Sequence, residues 1–234
     1  MIFITGVSRG FGKAIAELYL DSGEKVVGIG RSASIAHANF SLILCDLSNL
    51  TEVRALKFDS ISEPITLINN AGIVGEIRRL SDQQRSDVDE VMTVNVSAPL
   101  ILTQKLYAAA HNKDHFTLVN ISSGAATRAI PSWASYCASK AALNMFTETF
   151  YLEEKEKGNF PKVYAVAPGV IDTGMQEQIR SANSEDFSAL DNFISMKSEG
   201  TLFSAEEAAR KLHQLISIGF SGAIFHDLRQ LSDQ

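Results

Sequence analysis

Ile2-Phe3-Ile4-Thr5-Gly6-Val7-Ser8-Arg9-Gly10-Phe11-Gly12 opens the chain, and its reading decides the fold. A short apolar run stops at a glycine, and a helical pattern carrying Ile15, Leu18 and Tyr19 then runs on to Gly23. In such a strand–turn–helix the glycines provide a tight turn, close backbone approach to a diphosphate, and close packing of helix on strand. The helix N-terminus adds oriented N–H groups for phosphate. Placed between strand and helix, the spacing predicts a dinucleotide-binding turn, with Gly6, Ser8, Arg9, Gly10, Phe11 and Gly12 against the cofactor.

Outward from this turn, apolar runs at 26–29, 42–44, 64–68, 116–121, 163–167 and 223–225 read as further strands. Helical patterns fall at about 49–58, 81–107, 135–157 and 204–218, the last opened by Ser204 and Glu207 in capping-box spacing. Continuous apolar strands alternating with helices predict an α/β fold: a Rossmann-type, doubly wound parallel sheet of about seven strands, covered on both faces. One domain over 1–234 is expected, because no linker, repeat or low-complexity tract interrupts the chain. The longer, more polar stretch at 175–200 is expected to be a substrate lid.

Bulk composition narrows the function. With 234 residues the chain can bury a large core, and a net charge of −6 gives no global field for nucleic acid or an anionic membrane surface. Two cysteines and five histidines show no ligand spacing, so no metal site is expected. No apolar run approaches the roughly 18 residues of a spanning helix. The apolar start at MIFITG has no basic segment before it, and a cytoplasmic protein is the expectation.

Cofactor choice turns on the end of the second strand, Gly28-Ile29-Gly30-Arg31-Ser32. An NAD-binding turn would carry an acid there for the ribose hydroxyls. Arg31 and Ser32, with Arg9 able to approach, instead suit the 2′-phosphate of NADP(H), since guanidinium makes planar, charge-assisted contacts with phosphate. Asp46 either accepts from the adenine amino group or caps the next helix, and Leu47 beside it joins the expected cofactor set.

Tyr136-Cys137-Ala138-Ser139-Lys140 carries the chemistry. Residues four apart share a helix face, so Tyr136 and Lys140 point the same way. A free tyrosine titrates near 10, and a neighbouring ammonium favours its phenolate and brings it towards the working range of a proton shuttle. Taken alone, such a pair is common on helices.

The surrounding motifs are similar to those of the short-chain dehydrogenase/reductase family along nearly the whole chain. The glycine turn comes first, then Asn69-Asn70-Ala71-Gly72, Asn95, Asn120-Ile121-Ser122-Ser123, Tyr136 with Lys140, and Pro168-Gly169-Val170-Ile171-Asp172-Thr173, all in the family's order. The resemblance implies a catalytic set of Asn95, Ser123, Tyr136 and Lys140, with Ser122 the lesser choice for the serine. Tyr136 would protonate the carbonyl oxygen and Ser123 hydrogen-bond it, while Lys140 tunes the tyrosine and holds the nicotinamide ribose. Asn95 would kink its helix and hold a water leading to Lys140. Asn70, Ala71, Gly72, Pro168, Gly169, Val170 and Thr173 would complete the cofactor site. The implied activity is NADPH-dependent reduction of a small-molecule ketone or vicinal dicarbonyl, aromatic or pterin-like. A 3-oxoacyl-thioester reductase, an alcohol dehydrogenase and a non-catalytic NADP(H) sensor are the alternatives.

Within the family the chain resembles the sepiapterin and benzil reductase branch through stretches such as Trp133–Ala138 and Ala167–Gln176. Trp133, Ile130, Val170 and Met175, with Phe187, Leu190, Phe193 and Met196 from the lid, are the expected apolar lining. Asp227 lies near the aspartate by which that branch anchors a pterin, one residue further from Gly222 than expected. The resemblance also implies a homodimer, or a homotetramer, paired through the two long helices. Val91, Leu100, Leu102, Met145, Phe146 and Phe150 supply apolar surface beyond what one buried face needs.

Overall fold

Alternation along the first strand sets the layers of this computed structural model, which describes residues 1–232. In β1 (Ile2–Thr5), Ile2 and Ile4 pack into one core and Phe3 into another, because successive side chains leave opposite faces of a sheet. The same switch recurs in β4 (Ile65–Asn69), where Ile68 faces one side and Ile65 and Leu67 the other. It recurs in β5 (Phe116–Ile121), with Val119 and Ile121 against Phe116 and Leu118.

Seven strands form one sheet, ordered β3-β2-β1-β4-β5-β6-β7, with every pairing parallel. The others are β2 (Val26–Gly30), β3 (Phe40–Leu44), β6 (Lys162–Ala167) and β7 (Phe225–Asp227). Helices α1 (Gly10–Asp21) and α8 (Ala205–Ile218) cover one face; α2 (Leu50–Ala55), α4 (Ala98–Ala109) and α5 (Ala134–Glu156) cover the other. Strand order reverses between β1 and β4, and ligands bind at such a crevice beyond the strands' C-terminal ends.

The expected helix over 81–107 is divided. α3 (Arg85–Met92) passes through a π-helical turn at Thr93–Ser97 into α4, and Asn95 lies within that turn. The last strand pairs through residues 225–227, two later than expected. Gly222, shortly before it, is left-handed at φ 92°. The lid is largely helical: α6 (Gly174–Arg180) and α7 (Leu190–Ser198). Ser204 does cap α8, its Oγ accepting from Glu207 N at 3.0 Å.

Candidate active site

The glycine turn is clamped by the segment after β4. Thr5 Oγ1 accepts from the backbone N–H groups of Asn70 and Ala71, each at 2.9 Å. Asn70 Nδ2 returns a bond to Thr5 O at 3.0 Å. Gly6 is left-handed at φ 73°, and a Cβ there would meet Ala71 Cα at 3.1 Å. At Gly12 a Cβ would lie 2.3 Å from Gly6 O, so the helix can approach the turn only through glycine. Gly10 abuts Thr173, a would-be Cβ meeting its Cγ2 at 3.1 Å. Three separate sequence motifs therefore meet at the switch point of the sheet.

A cleft of about 790 Å³ runs from there to Tyr136. It is lined by Gly6, Ser8, Arg9, Gly10, Phe11 and Gly12 at the turn, and by Arg31, Ser32, Asp46 and Leu47 after β2 and β3. Asn70, Ala71 and Gly72 form its floor, and Pro168, Gly169, Val170 and Thr173 the opposing loop. These residues fit a nicotinamide dinucleotide. The glycine backbone leaves room for a diphosphate, and Arg9, at the N-cap of α1, makes no side-chain capping bond there. Cations Arg9, Arg31, Arg128, Lys140 and Arg229 face the cleft against the acids Asp46 and Glu90, although the chain as a whole carries −6. A charged cleft focuses its field, so this local positive excess outweighs the global charge for an anionic ligand.

One expectation at the adenosine end is refined. Asp46 does not cap α2; Asn49 does, its side chain accepting from Thr51 N. Asp46 accepts instead from Ser48 N and Oγ, bonds that hold its carboxyl below the usual range, with Arg31 4.0 Å away adding to the effect. Arg9 and Arg31 both line the cleft, and the Arg9 guanidinium lies 3.7 Å from where a Cβ on Gly174 would stand.

At the other end of the cleft, the segment after β5 and the first turns of α5 bring Ser123, Tyr136 and Lys140 together. Tyr136 is buried, and burial pushes its phenol up to about 12, with a hydrogen bond from the Ser123 side acting against the rise. Lys140 is also buried; desolvation lowers it to about 8, and its Nζ donates to Ile121 O at 2.8 Å. That Nζ lies 5.7 Å from the Tyr136 ring centroid. Burial is the largest influence on the tyrosine. The result is a phenol that keeps its proton at neutral pH, as a proton donor requires. Ser122 and Ser123 divide cleanly: the Ser122 hydroxyl donates to Asn144 Oδ1, whereas Ser123 faces the phenol.

Asn95 lies outside the cleft, behind Gly72. Its Oδ1 accepts from Ile73 N at 2.9 Å, and its Nδ2 donates to Ile73 O at 2.8 Å and to Ser139 Oγ at 3.0 Å. A Cβ on Gly72 would meet Asn95 Oδ1 at 3.2 Å and Lys140 Nζ at 3.4 Å, so the two flank one point. The π-helical turn brings the amide to this position by displacing it from the regular helix face. Deeper still, Asn69, Asn120 and Thr147 form a buried chain, Asn69 Nδ2 to Asn120 Oδ1 and Asn120 Nδ2 to Thr147 Oγ1, each at 2.8 Å. It ties β4 and β5 to α5 behind the catalytic groups. Sequence reading missed this chain, though two asparagines at matching ends of apolar strands were its signal.

The 175–200 stretch packs directly on the start of α5. Trp133 stacks on Phe187 at 5.5 Å and 14°, meets Phe193 at 5.4 Å, and sits edge-on to Tyr136 at 5.4 Å. Ser132, left-handed at φ 71°, turns the chain into this arrangement and donates to Asp186 O. Trp133, Ile130, Val170, Met175 and Phe193 line the cleft, whereas Phe187 and Leu190 are buried beneath the lid, and Met196 stands outside the lining. Asp227 does not reach the cleft either. Its carboxylate accepts from Arg229 Nε and Nη2, and Arg229 is the residue of the pair that lines the cavity.

These features define a Rossmann-type oxidoreductase, and the chain belongs to the short-chain dehydrogenase family, whose model matches residues 1–184. Its members bind a nicotinamide cofactor. Among curated relatives, the chain is 37% identical to a benzil reductase, (S)-benzoin forming, of Bacillus cereus, covering 92% of this chain and 93% of that one. It is 30% identical to the sepiapterin reductase of Rattus norvegicus, over 91% of this chain and 89% of the other. A solved short-chain dehydrogenase/reductase from Saccharomyces cerevisiae superposes with a TM-score of 0.78 at 26% identity, covering 98% and 96% of the two chains.

Proposed function

We propose that this oxidoreductase is an NADPH-dependent carbonyl reductase acting on aromatic ketones and vicinal dicarbonyls. The observation that carries the reading is one continuous cleft, with Tyr136, Ser123 and Lys140 at one end and Arg31 and Ser32, in place of an acid, at the other. The benzil reductase and sepiapterin reductase likenesses point to the same substrate chemistry. When bound, the reduced nicotinamide supplies a hydride to the carbonyl carbon. Tyr136 Oη releases its proton to the carbonyl oxygen, and the Ser123 hydroxyl donates a hydrogen bond to that oxygen as charge develops on it. The Lys140 ammonium offsets the negative charge left on the phenolate. Trp133 and the lid keep bulk water from the reacting atoms.

NADPH oxidation measured with benzil, 1-phenyl-1,2-propanedione, sepiapterin and an acetoacetyl thioester tests the reading. Turnover of the aromatic diones is expected; tight NADPH binding with no turnover on any carbonyl would favour a sensor. Arg31→Asp should raise KM for NADPH about tenfold and improve use of NADH. An unchanged preference removes Arg31 from phosphate recognition. Pairing of two copies along α4 and α5 belongs to the same reading, though Val91, Leu102 and Phe150 are spent in the chain's own core. Met145 and Leu152 remain exposed on α5 to support the contact, and a monomer mass by light scattering would remove it.

A further inference from the structure

Three consecutive residues at the end of β5 meet three residues on one face of α5. Ile121 O accepts from Lys140 Nζ at 2.8 Å, the Ser122 hydroxyl donates to Asn144 Oδ1 at 2.5 Å, and Ser123 faces the phenol of Tyr136. Tyr136, Lys140 and Asn144 stand four residues apart, so they form one stripe of the helix, about 12 Å from first to last. One residue further back on the strand, Asn120 Nδ2 donates to Thr147 Oγ1 at 2.8 Å.

These contacts are not equivalent. Lys140 and Ser123 belong to the reacting groups, whereas Asn144 is partly buried and stands outside the cleft lining. Ser122 is 5% exposed, so its hydroxyl has little water to turn to if Asn144 is lost. Its backbone N donates to Val166 O at 2.7 Å, which fixes the segment within the sheet. The Asn144 bond fixes it relative to α5, the helix that carries Tyr136, and does so one residue from Ser123. Ser123 is extended at φ −160° and ψ 157°, so successive side chains leave on opposite sides, one towards Asn144 and the next towards Tyr136.

We infer that Asn144 is a positioning residue for the reduction, acting through Ser122 to hold the Ser123 hydroxyl at the carbonyl oxygen that Tyr136 protonates. The assignment rests on the reductase reading of the same cleft. A hydrogen bond to an oxygen that gains charge depends on placement, and a shift of about 1 Å in such a group can cost up to about a hundredfold in rate. Without the Asn144 acceptor the Ser122 hydroxyl is left buried and unpaired, and it relieves this by moving. Ser123, one peptide unit on, moves with it. Asn144 lies outside the cleft, so the cofactor contacts at the glycine turn and at Arg31 are left as they were.

The test compares Ser122→Ala, Asn144→Ala and the double variant with wild type on 1-phenyl-1,2-propanedione. Each is also made on a Ser123→Ala background and assayed at high enzyme concentration, with NADPH binding by fluorescence titration as the check on folding. Either single change should lower kcat about tenfold and leave the Kd for NADPH within about twofold. The double variant should fall no further than the worse single one, because one bond is lost either way. On the Ser123→Ala background the same changes should lower kcat by less than about twofold, since the hydroxyl they position is gone. Unchanged kcat in variants that bind NADPH overturns the assignment and leaves the reductase reading intact. A loss that persists undiminished on the Ser123→Ala background overturns it too, marking the bond as a general brace of α5. A wild-type enzyme that turns over neither this dione nor any other carbonyl removes the reductase reading, and this assignment with it.

Discussion

On the wall built by β5, α5 and the π-helical turn before α4, Lys140 and Asn95 are 4% and 1% exposed, and hydrogen bonds link them to Ile121, Ile73 and Ser139. Across the cleft, α7 leaves Ile194 45% exposed and is tied down by an ion pair from Lys197 to Asp172, on the loop after β6. Arg180 of α6 reaches the same carboxylate at 3.7 Å, so one partly exposed acid holds both lid helices. Proton transfer tolerates little displacement, and the wall is held by buried, directional bonds. Substrate choice needs a surface that can open, and the lid is held by stacked rings and solvent-screened charges.

The largest test of that contrast is Tyr136→Phe. It removes the donated proton but keeps the ring that Trp133 packs against, so kcat should fall about a thousandfold with NADPH binding retained. Substantial residual turnover would place the proton donor elsewhere.

Next in size is the pH profile of reduction. Burial holds Lys140 at about 8, so it is charged below that pH and neutral above it. kcat/KM should be level on the acid side and fall about tenfold per unit as pH rises through that value. A profile level to pH 10 would show that the Lys140 charge is not needed.

The smallest effect is expected at the lid. Asp172→Asn weakens two partly exposed ion pairs, each worth up to about 1 kcal/mol, and should raise substrate KM by about two- to fivefold with kcat little changed. A fall in kcat comparable to that of Tyr136→Phe would mean the lid positions the reacting groups, and the contrast between the two regions would collapse.

The glycine turn, the parallel sheet implied by alternating elements, and the Tyr136–Lys140 face were legible because each depends on local spacing. Asp227 misled for the opposite reason. Its likeness to the aspartate by which the resembled branch anchors a pterin suggested a place at the substrate, but Arg229, two residues on, takes its carboxylate and lines the cleft instead.

By itself, then, the sequence determined the sheet and the glycine turn, and it singled out Tyr136 and Lys140 as one helix face, because periodicity and glycine placement act over a few residues. Tertiary structure alone decided that burial raises Tyr136, that Ser123 rather than Ser122 faces the phenol, and which rings of 175–200 are spent in packing. Desolvation and pairing depend on which atoms arrive from distant parts of the chain, and only the folded molecule brings them together.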